Sequence, residues 1–445
     1  MPLRGVDRKI EQMNDDLLSR LRRLGVTKGA RNLQQPETGR WRADSNDTRL
    51  SGHQLDLSLE TLFPGGYLSE NQAGKAFIVD HAYPTYYVHG SDRLAELLNF
   101  SPATAARYIH DNRLEKSNFQ DFVFLDTETT GLAGAGTLAF MVGVGFFEAQ
   151  HRPEEDSVET GAFVVRQFFL RDHEDEPAML QFLDELLADK AGLITFNGRT
   201  FDLPLLNNRY LMNRLSGQLM EMPHIDLLPP SRRLWKSRLG SCALGSLELN
   251  LLGLHRAQED VPGWLIPTIY FNYLRSGDAR EVGRIFYHNR MDMLSMVTLA
   301  SRIWRHFDRP EEGEALDLLS LGRWQADLGL VDQAESTLRR ALQGELPLEY
   351  YHQALHRLGL LYKQAGRREE ATIVWQQIAF SSMDDVSAHI ELAKHFEWHQ
   401  IDVASALFWT QQALELVDKW PPTIRGQFIK EELRHRLVRL MKKAT

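Results

Sequence analysis

Residues 122–128 constrain this chain more than any other stretch: Phe122-Val123-Phe124-Leu125 runs directly into Asp126-Thr127-Glu128. The four apolar residues favour β structure and carry no polar interruption, the pattern of a buried strand. Side chains two apart on a strand share a face, so Asp126 and Glu128 present two carboxylates side by side. Carboxylates that close repel unless a cation lies between them. Mg²⁺ or Mn²⁺, hard cations that prefer oxygen ligands, suit that place. The plain alternative is a strand end with two solvated acids; the buried strand before it and Thr129-Thr130-Gly131-Leu132 after it favour the metal.

Composition sets the frame. At 445 residues, 43% hydrophobic and 25% charged, the chain has room for two or three globular domains. No apolar run reaches the ~18 residues of a membrane span. The first residues lack the apolar core of a signal peptide. The single Cys242 excludes an internal disulfide and any multi-cysteine zinc site. The expectation is a cytoplasmic protein with no membrane contact. Net charge is −9, yet residues 1–50 hold 11 Lys and Arg against 7 Asp and Glu, and residues 231–242 hold four basic residues, one Trp and no acid. A local basic patch can bind a polyanion while the remainder stays acidic.

The chain divides into four parts by pattern. Residues 1–55 are a polar, basic segment, with a short helix expected near Lys9–Leu24 and flexible chain after it. Residues 60–117 read as an extension packing on the next part, with turns, strands and a helix near Ser91–Leu98. Residues 118–308 give strands at Phe122–Leu125, Leu138–Phe147, Phe163–Leu170 and Leu193–Phe196. Helices at Pro177–Ala188 and Leu203–Arg214 complete the pattern, a mixed sheet with helices on its faces. Residues 315–445 are helical and internally repetitive. Gly329…Ala334 recurs as Gly366…Ala371, and Leu358-Gly359 as Leu392-Ala393. Helix pairs at a period near 34 residues are similar to tetratricopeptide repeats, with Gly426–Lys443 a capping helix; an irregular bundle is the alternative.

Two further stretches carry acids. In Leu193–Pro204 a strand ends at the turn signal Asn197-Gly198, and Asp202 falls at a helix entry, where an acid can equally be a simple N-cap. In Ile285–Val297, His288 and Asp292 stand four apart and so on one helical face. With Asp126-Thr-Glu128 these stretches resemble the three motifs of DEDD-type 3′–5′ exonucleases, which share the ribonuclease H-like fold. The match is best over 118–308, and a bacterial branch joins such a domain to tetratricopeptide repeats; Asp226, Arg256–Gly263 and Arg232-Arg233-Leu234-Trp235 resemble that branch.

The resemblance implies an α/β ribonuclease H-like domain followed by an all-α repeat domain. It implies a two-metal exonuclease with Asp126, Glu128, Asp202 and Asp292 holding two Mg²⁺ or Mn²⁺ ions. A base four residues before the last Asp is His288 here, favoured for its pKa near 6.5; Tyr287, five before, is the alternative. The substrate is expected to be single-stranded DNA or RNA, meeting Thr129, Thr130, Gly131, Leu132 and Asn197. Arg232, Arg233, Lys236 and Arg238 are expected to hold phosphates, and Trp235 to stack on a base; the alternative for this group is a solvated face around a core Trp. Asp226 is a further candidate near the metals. The repeats are expected to dock a protein partner. A non-catalytic scaffold and a structure-specific endonuclease remain alternatives. No phosphate-binding loop, His-Glu-x-x-His or Gly-x-Ser-x-Gly occurs.

Overall fold

The computed structural model describes residues 57–131, 136–148, 161–257, 260–382 and 385–444. The basic segment, its expected helix and Leu132 lie outside the described residues.

Seven strands make one sheet: β1 (Tyr67–Asn71), β2 (Gly74–Pro84), β3 (Phe122–Thr129), β4 (Ala139–Glu148), β5 (Ala162–Phe169), β6 (Gly192–Thr195) and β7 (His224–Asp226). Their spatial order is β1-β2-β5-β4-β3-β6-β7. β3, β4 and β5 form an antiparallel meander, and β6 and β7 join β3 in parallel. Parallel pairing needs a crossover, which the helices supply. Those of ten or more residues are α1 (Glu176–Leu187), α2 (Asp202–Met212), α3 (Leu228–Leu239), α4 (Ile266–Ser276) and α5 (Val282–Asp308). They continue with α6 (Ala315–Asp327), α7 (Val331–Gln343), α8 (Leu348–Gln364), α9 (Arg368–Ser381), α10 (Val386–His395), α11 (Val403–Asp418) and α12 (Ile424–Ala444). No helix among the described residues is long and apolar enough to cross a membrane.

The Phe122–Leu125 run is fully buried, and its alternation divides it between two cores. Val123 and Leu125 pack with Leu180 of α1, Leu206 of α2 and Phe286 of α5. Phe124 packs with Trp235 of α3 and Val297 and Trp304 of α5. Continuous apolar sequence thus reflects helices covering both faces of a central strand.

The stretch expected to pack on this sheet is part of it. β2 pairs antiparallel with β5 from Phe77↔Phe169 to Pro84↔Ala162, so β1 and β2 extend the sheet edge. The helix expected near Ser91–Leu98 is a six-residue 3₁₀ turn, Leu94–Asn99. Phe100 is extended and Pro102 follows at once, which leaves too little chain for a stable α-helix.

Beyond residue 315 each helix packs against the next in sequence. Gly329 and Gly366 sit at φ +75° and +77° in the turns after α6 and α8, a conformation that only glycine adopts without strain. Gly359 lets α8 close on α9: a Cβ there would lie 2.6 Å from Trp375 Nε1.

Candidate active site

The expected acids come from three elements. Asp126 and Glu128 lie near the end of β3, opposite Gly143 and Met141 of β4, where the register shifts between Glu128 and Thr129. Asp202 is the first residue of α2, but its carboxylate crosses to β3 instead of capping that helix. Oδ1 accepts from the Thr127 N–H at 3.1 Å and from the Thr127 hydroxyl at 2.5 Å. Asp202 is therefore tied to the residue between the two strand acids. Asp292 projects from the middle of α5, and Asn289, one turn earlier, donates to Asp126 Oδ2 at 3.1 Å.

Sequence reasoning missed the buried supports of this arrangement. Asn289 lies directly over β4 because Gly143 has no side chain; a Cβ there would come within 2.0 Å of Asn289 Oδ1. Gln167 of β5 donates to that Oδ1 and to the Phe286 carbonyl, each at 2.9 Å. The glycine inside an otherwise apolar strand was the available signal.

The four carboxylates disturb one another. Burial and the charges of Asp202, Asp292 and Glu128 raise Asp126 well above the usual carboxylate range. Burial, opposed by His288 and reinforced by Asp292 and Asp202, pushes Glu128 up to about 8. Asp202 rises to about 6, chiefly by burial, even though Thr127 hydrogen-bonds it. Asp292 is also raised by burial, against the pull of His288 and Arg256. Such a set of hard oxygen donors, repelling one another in a poorly solvated place, fits a divalent cation. Among the described residues, no three His, Cys, Asp or Glu side chains are already drawn into a ligating group. Asp126, Asp202 and Asp292 are each held by a hydrogen-bond partner instead, Asn289, Thr127 and Arg256.

The Asp292 flank holds two cationic groups. His288 Nδ1 lies 2.8 Å from Asp260 Oδ1, and Nε2 lies 3.8 Å from Asp292 Oδ2. Arg256 Nη1 also approaches Nδ1, at 3.2 Å, but both are donors when Nδ1 carries its proton, so we assign the hydrogen bond to Asp260. Burial opposes a charged imidazole, yet Asp260, Asp292 and Glu128 together raise His288 to about 9. Tyr287 turns elsewhere, its hydroxyl accepting from the Ala257 N–H at 3.3 Å. Arg256 reaches Asp292 Oδ1 and forks onto Glu248, a buried residue of the π-helical turn Glu248–Leu252. Glu248 carried no signal in the sequence.

Beside Asp202 opens a cavity of about 750 Å³ lined by Thr127, Thr129, Gly131, Phe201 and Met212. Thr129 and Gly131 thus line the cavity beside Asp202. Thr130 instead uses its hydroxyl to accept from the Leu138 N–H at 2.9 Å. Asn197, at φ 67°, shapes the turn after β6, and its N–H donates to Asp226 Oδ1 at 2.8 Å. Asp226 also accepts from the Arg199 and Leu228 backbone, so its carboxylate is spent on holding the turn that leads to α2.

The basic stretch is a correction. Trp235 is completely buried, with its indole edge toward His306, and presents no face to a base. Arg238 pairs with Asp317 and Glu314 at the start of the helical region. Arg233 lies over the Trp324 ring at 5.5 Å, and Lys236 donates to the Gly240 carbonyl of its own helix end. Arg232 is exposed. The spacing of charge and Trp that suggested a phosphate track belongs to a packed α3–α6 seam.

The mixed sheet flanked by helices fits a ribonuclease H-like fold, and the chain carries a domain of the RNase_H superfamily, matched over residues 123–304. It is 33% identical over 343 residues to the uncharacterized protein YprB of Bacillus subtilis (strain 168), an alignment covering 75% of this chain and 78% of that protein.

Proposed function

We propose that this chain is a divalent-metal-dependent 3′–5′ exonuclease acting on single-stranded DNA or RNA. One observation supports the reading: carboxylates from β3, α2 and α5 lie close enough to raise the pKa of Asp126 together, and one of them, Asp202, lines a cavity of about 750 Å³. Asp126, Glu128, Asp202 and Asp292 would hold two Mg²⁺ or Mn²⁺ ions. When bound, such ions lower the pKa of an attacking water and stabilise the leaving oxygen.

The chain's own residues do the rest. Asn289 and Gln167 fix the rotamer of Asp126, and Thr127 fixes that of Asp202. Asp260 holds the Nδ1 proton of His288, which leaves Nε2 on the acidic side as the atom that exchanges a proton with the nucleophile. In the arrangement seen, the Asp260 hydrogen bond and the charges of Asp292 and Glu128 favour the charged imidazole. It becomes a proton acceptor once those carboxylates are compensated by another cation. Thr129 and Gly131 frame the cavity that receives the terminal nucleotide. Phe201, half exposed on its rim, offers a ring on which a base can stack. The stacked helices of 315–444 act as tetratricopeptide-type repeats that dock a protein partner.

The test uses 5′-labelled single strands of matched DNA and RNA. Products should shorten stepwise from the 3′ end, only with Mg²⁺ or Mn²⁺, and stop on chelation. A single internal cut would reassign the chain as an endonuclease. Metal-independent cleavage would reject the proposal.

A further inference from the structure

Arg256 is the one guanidinium that the described residues place in contact with an acid of the cluster. It is committed to several carboxylates at once, with Nη1 3.5 Å from Asp260 Oδ1 and its shorter contacts elsewhere. Nε and Nη2 form a forked pair with Glu248 Oε2 and Oε1, at 2.7 and 2.6 Å. The same Nη2 uses its second hydrogen on Asp292 Oδ1. Glu248 is itself fixed: it is 2% exposed, and Ser295 Oγ donates to Oε1 at 2.5 Å. His89 Nε2 stands 2.9 Å from that hydroxyl. Glu248 and Arg256 also lie on one short piece of chain: Glu248 opens the π-helical turn closed by Gly253 at φ +65°, and Arg256 follows in the loop after it.

We propose that Arg256 is a resident cation that competes with a divalent ion for Asp292, and that loading the site drives its guanidinium back onto Glu248. The inference rests on the metal reading above and adds to it a residue that sets how tightly metal binds. An ion ligated by Asp292 Oδ1 and a guanidinium donating to that oxygen would be like charges at one atom. Removing a buried guanidinium from its sole carboxylate would strand a charge. Here the fork to Glu248 survives the move, because only one N–H of Arg256 touches Asp292. Before metal arrives, that N–H compensates a carboxylate which burial would otherwise penalise. Among the described residues the Asp126 and Asp202 flank has no such occupant: the side-chain hydrogen bonds it receives come from the neutral groups Asn289 and Thr127. The two flanks therefore differ in their demand for metal. An ion enters without competition beside Asp126 and Asp202, and against Arg256 beside Asp292.

Calorimetric titration of the metal-free protein with Mn²⁺ tests this without relying on activity. Arg256→Gln should bind Mn²⁺ more tightly, by roughly tenfold, the order expected for removing one charge-assisted contact. Glu248→Gln removes the fallback partner, leaves Arg256 on Asp292 and should weaken binding. The double variant should recover the tight value. Should Arg256→Gln fold poorly, Arg256→Lys keeps the charge but loses the fork, and should bind Mn²⁺ less tightly than wild type because the ammonium has no second seat. Unchanged or weaker binding in Arg256→Gln, with wild type binding metal, would overturn this inference alone. Absence of Mn²⁺ binding in every form would overturn the metal reading and this inference with it.

Discussion

Asp202 accepts two hydrogen bonds from Thr127 and so joins α2 to the strand that carries the other two acids. Its spacing from the first motif was legible in the sequence, but an N-cap has the same local signature, and only the tertiary contact separates the two. Glu248 and Arg256 lay beyond such reasoning, because a π-helical turn and a loop meet α5 only in the folded chain. At this scale the mutual repulsion of the acids has a measurable consequence. Asp126→Asn should abolish hydrolysis, yet raise the unfolding free energy of the metal-free protein by about 1 kcal/mol by removing a disfavoured charge; thermal denaturation in chelator reads this, and a loss of stability would contradict it. His288 and Tyr287 can be separated in the same way. His288→Ala should lower turnover by about 100-fold or more, whereas Tyr287→Phe, which loses only a hydroxyl contact to the Ala257 backbone, should cost less than tenfold. The reverse ordering in single-turnover assays would transfer the proton to the tyrosine.

The strands and helices of the sheet region were legible because their apolar periods are long and clean. β4, β5, α1 and α2 all lie within two residues of the expected bounds, while β3 begins as expected at Phe122 but runs on to Thr129, four residues beyond the expected Leu125. β1 and β2 were not recognised as sheet members, since membership depends on a partner strand about 90 residues away in sequence, β5. The basic helix α3 was misread for the same reason: nothing local reveals that Arg238 faces an acid 79 positions later. Its role as a seam makes a prediction that a phosphate-binding role does not. Arg238→Ala should destabilise the protein by about 3 kcal/mol, because it strands the buried Asp317 carboxylate, and should leave the affinity of the folded protein for a single-stranded oligonucleotide unchanged. Weakened affinity with intact stability would restore the phosphate role. In the helical region, Gly359→Ala should cost about 1–3 kcal/mol, since the added methyl meets the Trp375 indole; an unchanged denaturant midpoint would show that α8 and α9 can part freely.

The whole molecule combines a cluster of acids in the sheet region, Asp126, Glu128, Asp202 and Asp292, that sit above their usual range with acids of the helical region, Asp385, Glu335 and Glu397, that sit below it. Burial opposes the Asp385 carboxylate, but His356 and Ser387 hold it far below the usual range; Arg367 lowers Glu335, and Arg439 and Lys443 lower Glu397 despite its burial. A group depressed in the folded state contributes stability above its unfolded pKa and loses it as pH falls through the folded value. The helical region should therefore melt at lower temperature as pH drops from about 5 to about 3, and Asp385→Asn should flatten that dependence in far-UV circular dichroism. A melting temperature that rises on acidification would contradict the assignment. The central claim concerns the other region, and anomalous diffraction from crystals soaked in Mn²⁺ tests it most directly. The account predicts manganese peaks within about 2–2.3 Å of carboxylate oxygens of Asp126, Glu128, Asp202 and Asp292, absent in Asp126→Ala. A cluster that stays free of manganese at saturating concentration, or manganese bound only elsewhere, would contradict it.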